Sequence, residues 1–308
     1  MSDGRLLLGL DVGGTKCAAI IGDDAGAVLD RREWASDAAR GPGPMIADLL
    51  RHGRELLAAH GDATACGVSI GGPLNVDAGV ILSPPNLPGW DAVPLKARLA
   101  EALAMPVRVE HDAAACILAE FHWGAARGAS PACYLTCGTG FGVGLLVGGV
   151  PHYGARGNTC EIGHVRYRDD GPLAFGKRGC FEAFGAGSSL GRIAAWRFPE
   201  RWPHPPGGPE LSALARAGDA DAADVLAINA RAVGDACALL ADLLVPEVIV
   251  LGSLAAYLGE PWLAQVRRAY EAEVLPSTAA ACRIVPSGLG SRLQDCSALA
   301  AATLATPS

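Results

Sequence analysis

The chain opens on an apolar run, Arg5–Leu10, that stops at Asp11 and a Gly13-Gly14 turn, and a second run, Cys17–Ile21, follows at once. Two aliphatic runs joined by a glycine turn predict a β-hairpin. A third strand is expected over Ala27–Trp34, after the polar turn Asp23-Asp24-Ala25-Gly26. From Pro42 or Pro44 the apolar positions change period. Ile46, Leu49, Leu50, Leu56 and Leu57 recur at helical spacing to about Ala59. Ala65–Ile70 reads as a buried strand leading into Gly71-Gly72-Pro73. Residues 83–90 hold three prolines, which remove backbone donors and predict a fixed loop with Asn86 and Trp90 as its distinctive side chains. A helix (93–104), a strand (107–110) and a helix (113–123) follow. After an initial three-strand meander, strands and helices thus alternate, which indicates an α/β layer fold.

The opening theme returns at 132–150: an apolar run, the turn Gly138-Thr139-Gly140, a second run Val143–Val147, then Gly148-Gly149. A hairpin with a glycine turn in each half is most simply explained by two related domains. Residues 199–209, with five prolines and two glycines, read as a surface loop. Helices are expected at 210–217, 219–244, 261–274 and 292–305, a strand at Val248–Leu251, and a frayed tail at 306–308.

Composition narrows the partners. Half of the 308 residues are hydrophobic and 19% are charged, which suits a well-buried globular enzyme. The net charge of −7, with no basic cluster longer than Arg267-Arg268, argues against nucleic acid. The stretch Ala236–Gly259 is interrupted by Asp242, Pro246 and Glu247, so no membrane span is expected, and the N-terminus lacks a leader-like apolar region. A cytoplasmic protein is the expectation, and its ten scattered cysteines are read as reduced, buried thiols.

The candidate chemistry lies in four patches. Asp11-Val-Gly-Gly-Thr-Lys16 and Thr136-Cys-Gly-Thr-Gly140 are glycine-rich turns whose backbone N–H groups can hold a phosphate chain. Glu110-His-Asp112 and Glu161-Ile-Gly-His164 carry carboxylates and imidazoles that can bind a polyhydroxylated substrate. Together they point to sugar phosphorylation.

With Gly71-Gly-Pro73, Gly179-Cys-Phe-Glu182 and Val248-Ile-Val-Leu-Gly252, these patches resemble, in order and over nearly the whole chain, the ROK family of sugar kinases within the actin-like/hexokinase-like ATPase superfamily. The resemblance implies two actin-like (ribonuclease H-like) α/β domains flanking a cleft. Residues 1–112, joined by the C-terminal helix 292–308, would form one domain and residues 113–291 the other. Family repressors carry a DNA-binding helix-turn-helix before the first strand. A first strand near residue 5 therefore favours a kinase.

The resemblance also assigns roles. Asp11 would position Mg²⁺. Gly13, Gly14, Thr15, Lys16, Thr136, Gly138, Thr139 and Gly140 would hold the phosphates of ATP, and Gly252 would border its adenosine. Asp112 would be the general base toward the sugar hydroxyl. Glu161, His164 and Glu182 would bind sugar hydroxyls, with His111, Gly72 and the Asn86 loop bordering the same pocket. The expected activity is phosphorylation of a hexose, in the first place the 6-hydroxyl of glucose. An N-acetylhexosamine or fructose kinase and a non-catalytic sugar sensor are the alternatives. A homodimer is implied by the family alone.

Two departures stand out. His111 replaces the asparagine the family usually has before the catalytic aspartate, and Ala114 stands where a second asparagine is frequent. The family's structural zinc site, a histidine and three cysteines, is depleted here. In Leu173-Ala-Phe175-Gly-Lys-Arg-Gly-Cys180 two of the three thiolates are replaced, leaving His164 and Cys180, with Cys160 nearby. Closed zinc sites take four ligands. No structural zinc is expected, with Leu173 and Phe175 packing the loop hydrophobically instead.

Overall fold

The structure is a computed structural model and describes residues 4–305. The chain begins β1 (Leu6–Val12), β2 (Lys16–Asp23), β3 (Val28–Ala35), α1 (Pro42–His60), β4 (Ala65–Ile70), β5 (Leu74–Asn75) and β6 (Val80–Ile81). It continues through α2 (Leu95–Leu103), β7 (Val107–His111), α3 (Asp112–Trp123), β8 (Ala132–Leu135), β9 (Val143–Val147) and β10 (Val150–Pro151). Then come β11 (Leu173–Ala174), β12 (Lys177–Arg178), α4 (Phe181–Gly185), α5 (Ser189–Arg197), α6 (Gly208–Arg216) and α7 (Ala220–Leu244). The chain closes with β13 (Val248–Leu251), α8 (Ser253–Leu258), α9 (Glu260–Glu273), α10 (Pro276–Ala279), β14 (Arg283–Pro286) and α11 (Leu293–Thr303). The residues 306–308 expected to fray lie outside the described range. None of the described helices is long and apolar enough to cross a membrane.

One five-stranded sheet has the order β3-β2-β1-β4-β7 and another β10-β9-β8-β13-β14. The expected hairpin is β1 antiparallel to β2, with Leu6 opposite Asp23 and Val12 opposite Cys17. The chain divides into two compact units. One comprises residues up to Gly128, Gly144–Thr159 and from Gly288 onward; the other comprises Ala129–Val143 and Cys160–Ser287. The C-terminal helix joins the first unit, but the boundary expected after residue 112 falls at Gly128. The reason is α3, whose residues Ala113–Glu120 are all buried and which packs against α11. A helix apolar on every side needs cover all round, and α11 supplies part of it.

In the first unit, strand alternation assigns the two faces of the sheet. Leu8, Leu10 and Val12 of β1 point into the larger core with Met45, Ile46 and Leu49 of α1. Leu7, on the opposite face, meets Ala298, Leu299 and Ala302 of α11. Asp11 shares the parity of Leu7 and so faces the α11 side. The approach of α11 is close enough that a Cβ on Gly67 of β4 would collide with the Ala298 carbonyl and the Ala302 amide. Gly67→Ala is expected to cost about 3 kcal/mol, the upper part of the overpacking range, because backbone atoms cannot step aside. Urea unfolding measures it; a loss below about 0.5 kcal/mol, the scatter of neutral substitutions, contradicts this packing.

In the second unit β13 runs parallel to β8 and to β14, with Val248 opposite both Ala132 and Arg283. The long α7 is capped by Asp219, whose side chain accepts the Ala222 N–H.

Candidate active site

In the first unit β1, β4 and β7 are parallel neighbours, with Asp11 opposite Ser69 and Ile70 opposite His111. Their carboxyl ends therefore present Gly13-Gly14, Gly71-Gly72 and Asp112 in a row, at the edge where open α/β sheets bind ligands. The Asp11 carboxyl is pushed up to about 7, first by burial and then by the Asp112 and Asp295 carboxylates, with Arg31 opposing.

The Gly13 N–H donates to the Lys16 carbonyl at 3.0 Å, which closes the first turn. Neither Gly13 nor Gly14 has positive φ; glycine is required by proximity. A Cβ on Gly14 would lie 2.6 Å from the Asn86 carbonyl oxygen, so the proline-rich loop is seated directly on this turn. Thr15 is exposed. The Lys16 ammonium is 2.7 Å from the Glu33 carboxylate, so the cation expected at the phosphate turn is neutralised by a neighbouring strand.

At the β7–α3 junction, His111 occupies the N-cap position with extended backbone and its Nδ1 lies 3.3 Å from the Ala113 amide. Asp112 is the first helical residue. Asp112 Oδ1 accepts the Ala113 N–H at 2.6 Å and lies 3.1 Å from His111 Nδ1. The Asp112 side chain is 48% exposed, against 10% for His111. The imidazole lies over Gly72, where an added Cβ would sit 2.8 Å from Cδ2 and 3.1 Å from Nε2.

Glu110 is fully buried. It accepts from Arg108 Nε at 2.5 Å and from the Tyr153 hydroxyl, and burial still pushes its carboxyl above the ordinary range. Glu110, one of the carboxylates offered above for a polyhydroxylated substrate, is thus engaged by its own chain. Arg108 could have been found, because residues two apart on a strand share a face. Tyr153, far along the chain, could not.

In the second unit the turn after β8 is braced by its own side chain. Thr136 Oγ1 accepts the Gly142 N–H at 2.9 Å and donates to the Gly140 carbonyl at 3.2 Å. Thr136 therefore shapes the loop, while Thr139 is exposed. The Gly138 carbonyl accepts the Gly187 N–H at 2.8 Å. A Cβ on Gly252 would collide with the Thr136 carbonyl and the Tyr134 hydroxyl, so Gly252 is brought against the same turn.

Glu182 belongs to this group. Its Oε2 accepts the Phe141 N–H at 3.1 Å, one residue past Gly140. Burial raises its carboxyl and the Phe141 N–H opposes; Arg192, Glu161 and His164 contribute smaller charge effects. Gly163 closes the contact, since its Cβ would lie 2.5 Å from the Phe141 carbonyl and 3.3 Å from Glu182 Cβ. Glu161 and His164 flank Gly163 and are exposed. Glu161, His164, Glu182 and the second glycine turn therefore meet in one place.

The depleted zinc loop differs from expectation at Leu173 and Phe175. Leu173 and Phe175 do not pack the loop; they are 51% and 62% exposed. The β11–β12 hairpin they sit on has two-residue strands, too short to bury an apolar face of its own. Cys180 is buried, its thiol directed at the Lys177 and Ala174 carbonyls, whereas His164 is exposed. Among the described residues no three His, Cys, Asp or Glu side chains converge as a closed zinc site would require.

The profile of the ROK family matches residues 7–307. The chain is a member of the ROK family. Among curated proteins it is 31% identical over 295 residues to a glucokinase of Halalkalibacterium halodurans, covering 91% of this chain and 89% of the relative. It is 30% identical over 267 residues to an N-acetylmannosamine kinase of Citrobacter koseri, covering 84% and 87%. Among solved structures, the ROK hexokinase of Thermus thermophilus superposes with a TM-score of 0.85 at 33% identity, covering 97% and 98% of the two chains. A ROK glucokinase of Streptomyces griseus in complex with glucose and AMPPNP gives 0.80 at 28%, covering 97% and 99%. The ROK fold assigned from the motifs is thereby established, with the two actin-like α/β sheets it entails.

Proposed function

We propose that this chain is an ATP-dependent hexose kinase that phosphorylates the 6-hydroxyl of glucose, with Asp112 as general base. The observation that carries this reading is the state of Asp112: half-exposed at the start of α3, with one oxygen engaged by the Ala113 N–H. In the reaction the sugar hydroxyl oxygen bonds to the γ-phosphorus, its proton passes to Asp112, and the bond to the β-phosphate oxygen breaks to release ADP. Phosphoryl transfer asks the protein mainly for positioning and charge stabilisation.

The glycine turn in each unit offers backbone N–H groups of the kind that hold phosphates, and Thr15 and Thr139 are exposed beside them. Asp11 fits a role in holding Mg²⁺: a carboxylate pressed by two others and raised to about 7 gains most from a neighbouring divalent cation. When bound, that ion neutralises charge on the transferring phosphoryl oxygens. Glu161, His164 and Glu182 would receive and donate sugar hydroxyl hydrogen bonds, and their clustering supports one shared ligand. Glu182→Ala is expected to raise the sugar KM roughly 10- to 100-fold, the worth of a hydrogen bond to a buried charge, and steady-state kinetics would register it. An unchanged KM removes Glu182 from the sugar site.

A second reading, phosphorylation of an N-acetylhexosamine, is favoured by one observation: the chain is 30% identical to an N-acetylmannosamine kinase over 267 residues, against 31% over 295 residues to a glucokinase. Coupled ADP release over hexoses and acylated hexosamines in competition separates the two. The expected result is a preference for glucose, and a preference for the acetamido sugars overturns it. A homodimer and a cytoplasmic location belong to the same reading, and sedimentation tests the former.

A further inference from the structure

We propose that His111 is a positioning residue for Asp112, carrying its proton on Nδ1 and donating it to Asp112 Oδ1. Three heavy atoms meet here, and the number of hydrogens between them decides the tautomer. Ala113 has one N–H, and it lies 2.6 Å from Asp112 Oδ1 and 3.3 Å from His111 Nδ1. The carboxylate, closer and charged, is the stronger acceptor. Nδ1 and Oδ1 are themselves 3.1 Å apart. If Nδ1 held only a lone pair, two acceptors would face each other at hydrogen-bond distance in a place where the imidazole is only 10% exposed. A proton on Nδ1 turns the same contact into a donor–acceptor pair.

The consequence divides the work of the carboxylate. Oδ1 receives two N–H donors, from Ala113 and from His111, which fixes the rotation of the side chain. Oδ2 is left free; it is the Asp112 oxygen nearest Gly71, 4.0 Å from where a Cβ on that residue would lie. Oδ2 is then the atom that takes the sugar proton. In the neutral ring Nε2 becomes an acceptor beside Gly72, which holds the imidazole plane in place by contact. Glu110, also adjacent in the chain, is occupied by Arg108 and Tyr153 and does not compete for the imidazole proton.

This inference rests on Asp112 being the base, and the two can fail separately. The tautomer is read on wild-type protein by ¹⁵N correlation spectra of the seven histidines, with His111 assigned by its loss in His111→Asn. The expected result is a pyrrole-type Nδ1 and a pyridine-type Nε2; the reverse pattern overturns the proposal. His111→Ala removes the Nδ1 donor while the Ala113 N–H stays with Asp112 Oδ1, and is expected to lower kcat about 10- to 100-fold at a nearly constant sugar KM. His111→Asn, which offers both a cap oxygen and an amide donor, is expected to restore most of that loss. A raised sugar KM at unchanged kcat makes His111 a substrate contact instead and also overturns the proposal. Wild-type turnover in Asp112→Asn sinks the base assignment alone, because the tautomer needs no turnover to be seen.

Discussion

Asp112→Asn is expected to lower kcat by roughly 10²- to 10⁴-fold, the range for removing a general base, while the sugar KM stays within a few-fold. Asparagine has nearly the same shape and its amide oxygen can still accept the Ala113 N–H that Asp112 Oδ1 holds at 2.6 Å. The helix start therefore survives, and the same amide oxygen can still accept from His111 Nδ1, 3.1 Å from Asp112 Oδ1 in the native protein. What is lost is the second oxygen's ability to take a proton. The stability change is expected to be small, about 0.5 kcal/mol, because one carboxylate leaves the favourable N-terminus of α3. Such a small cost would separate a chemical defect from an unfolding one. Stopped assays of hexose-dependent ADP formation, with thermal melts on the same samples, measure both. Turnover close to wild type contradicts the base assignment.

Asp11→Asn is expected to combine an activity loss of roughly 10²-fold or more, from the loss of charge stabilisation at the phosphoryl group, with a gain in stability. The gain follows from linkage. Asp11 is raised from 3.8 to about 7 in the folded protein by burial and by Asp112 and Asp295, so the folded state binds the proton more tightly than the unfolded one. Its ionisation costs nothing below the unfolded value, costs progressively more between 3.8 and about 7, and costs its full amount above. A neutral amide at this position escapes that cost. Relative to wild type, chelator-treated Asp11→Asn is expected to gain roughly 2 kcal/mol more at pH 8 than at pH 5. Urea unfolding at the two pH values tests the sign. A difference that does not change with pH contradicts the electrostatic account of this residue.

Much of the fold was readable because its signals are local. The runs Arg5–Leu10 and Cys17–Ile21 form the β1–β2 hairpin with the expected partners. Ala65–Ile70, all apolar or small, is a strand buried at every position. The helical periodicity from Pro42 ends one residue beyond its expected limit, at His60. The elements that escaped lack such signals. Strand β14 has a single buried residue, Ile284, and α4 is five residues long, so neither shows a period. Helix α5 carries Gly191 in its interior, and a Cβ there would collide with the Pro206 carbonyl; that glycine is explained by a distant loop.

The site followed the same division. Residue types and their order identified the glycine turns and the carboxylates. Three features depended on packing between segments far apart and left no local trace. Asn86 seats on Gly14. Glu33 takes the Lys16 charge. Tyr153 closes over Glu110. Leu173 and Phe175 show the converse: apolar residues in an expected packed loop are exposed, because a hairpin with two-residue strands offers no core to receive them.

Transfer of the γ-phosphoryl group of ATP to a hexose hydroxyl is the central claim. Phosphorus NMR of one reaction containing protein, glucose, ATP and Mg²⁺ tests it most directly. The expected result is a phosphomonoester resonance coupled to the two C6 protons of glucose, growing in step with ADP and absent without sugar. Intact ATP under those conditions, or inorganic phosphate as the only product, would contradict it.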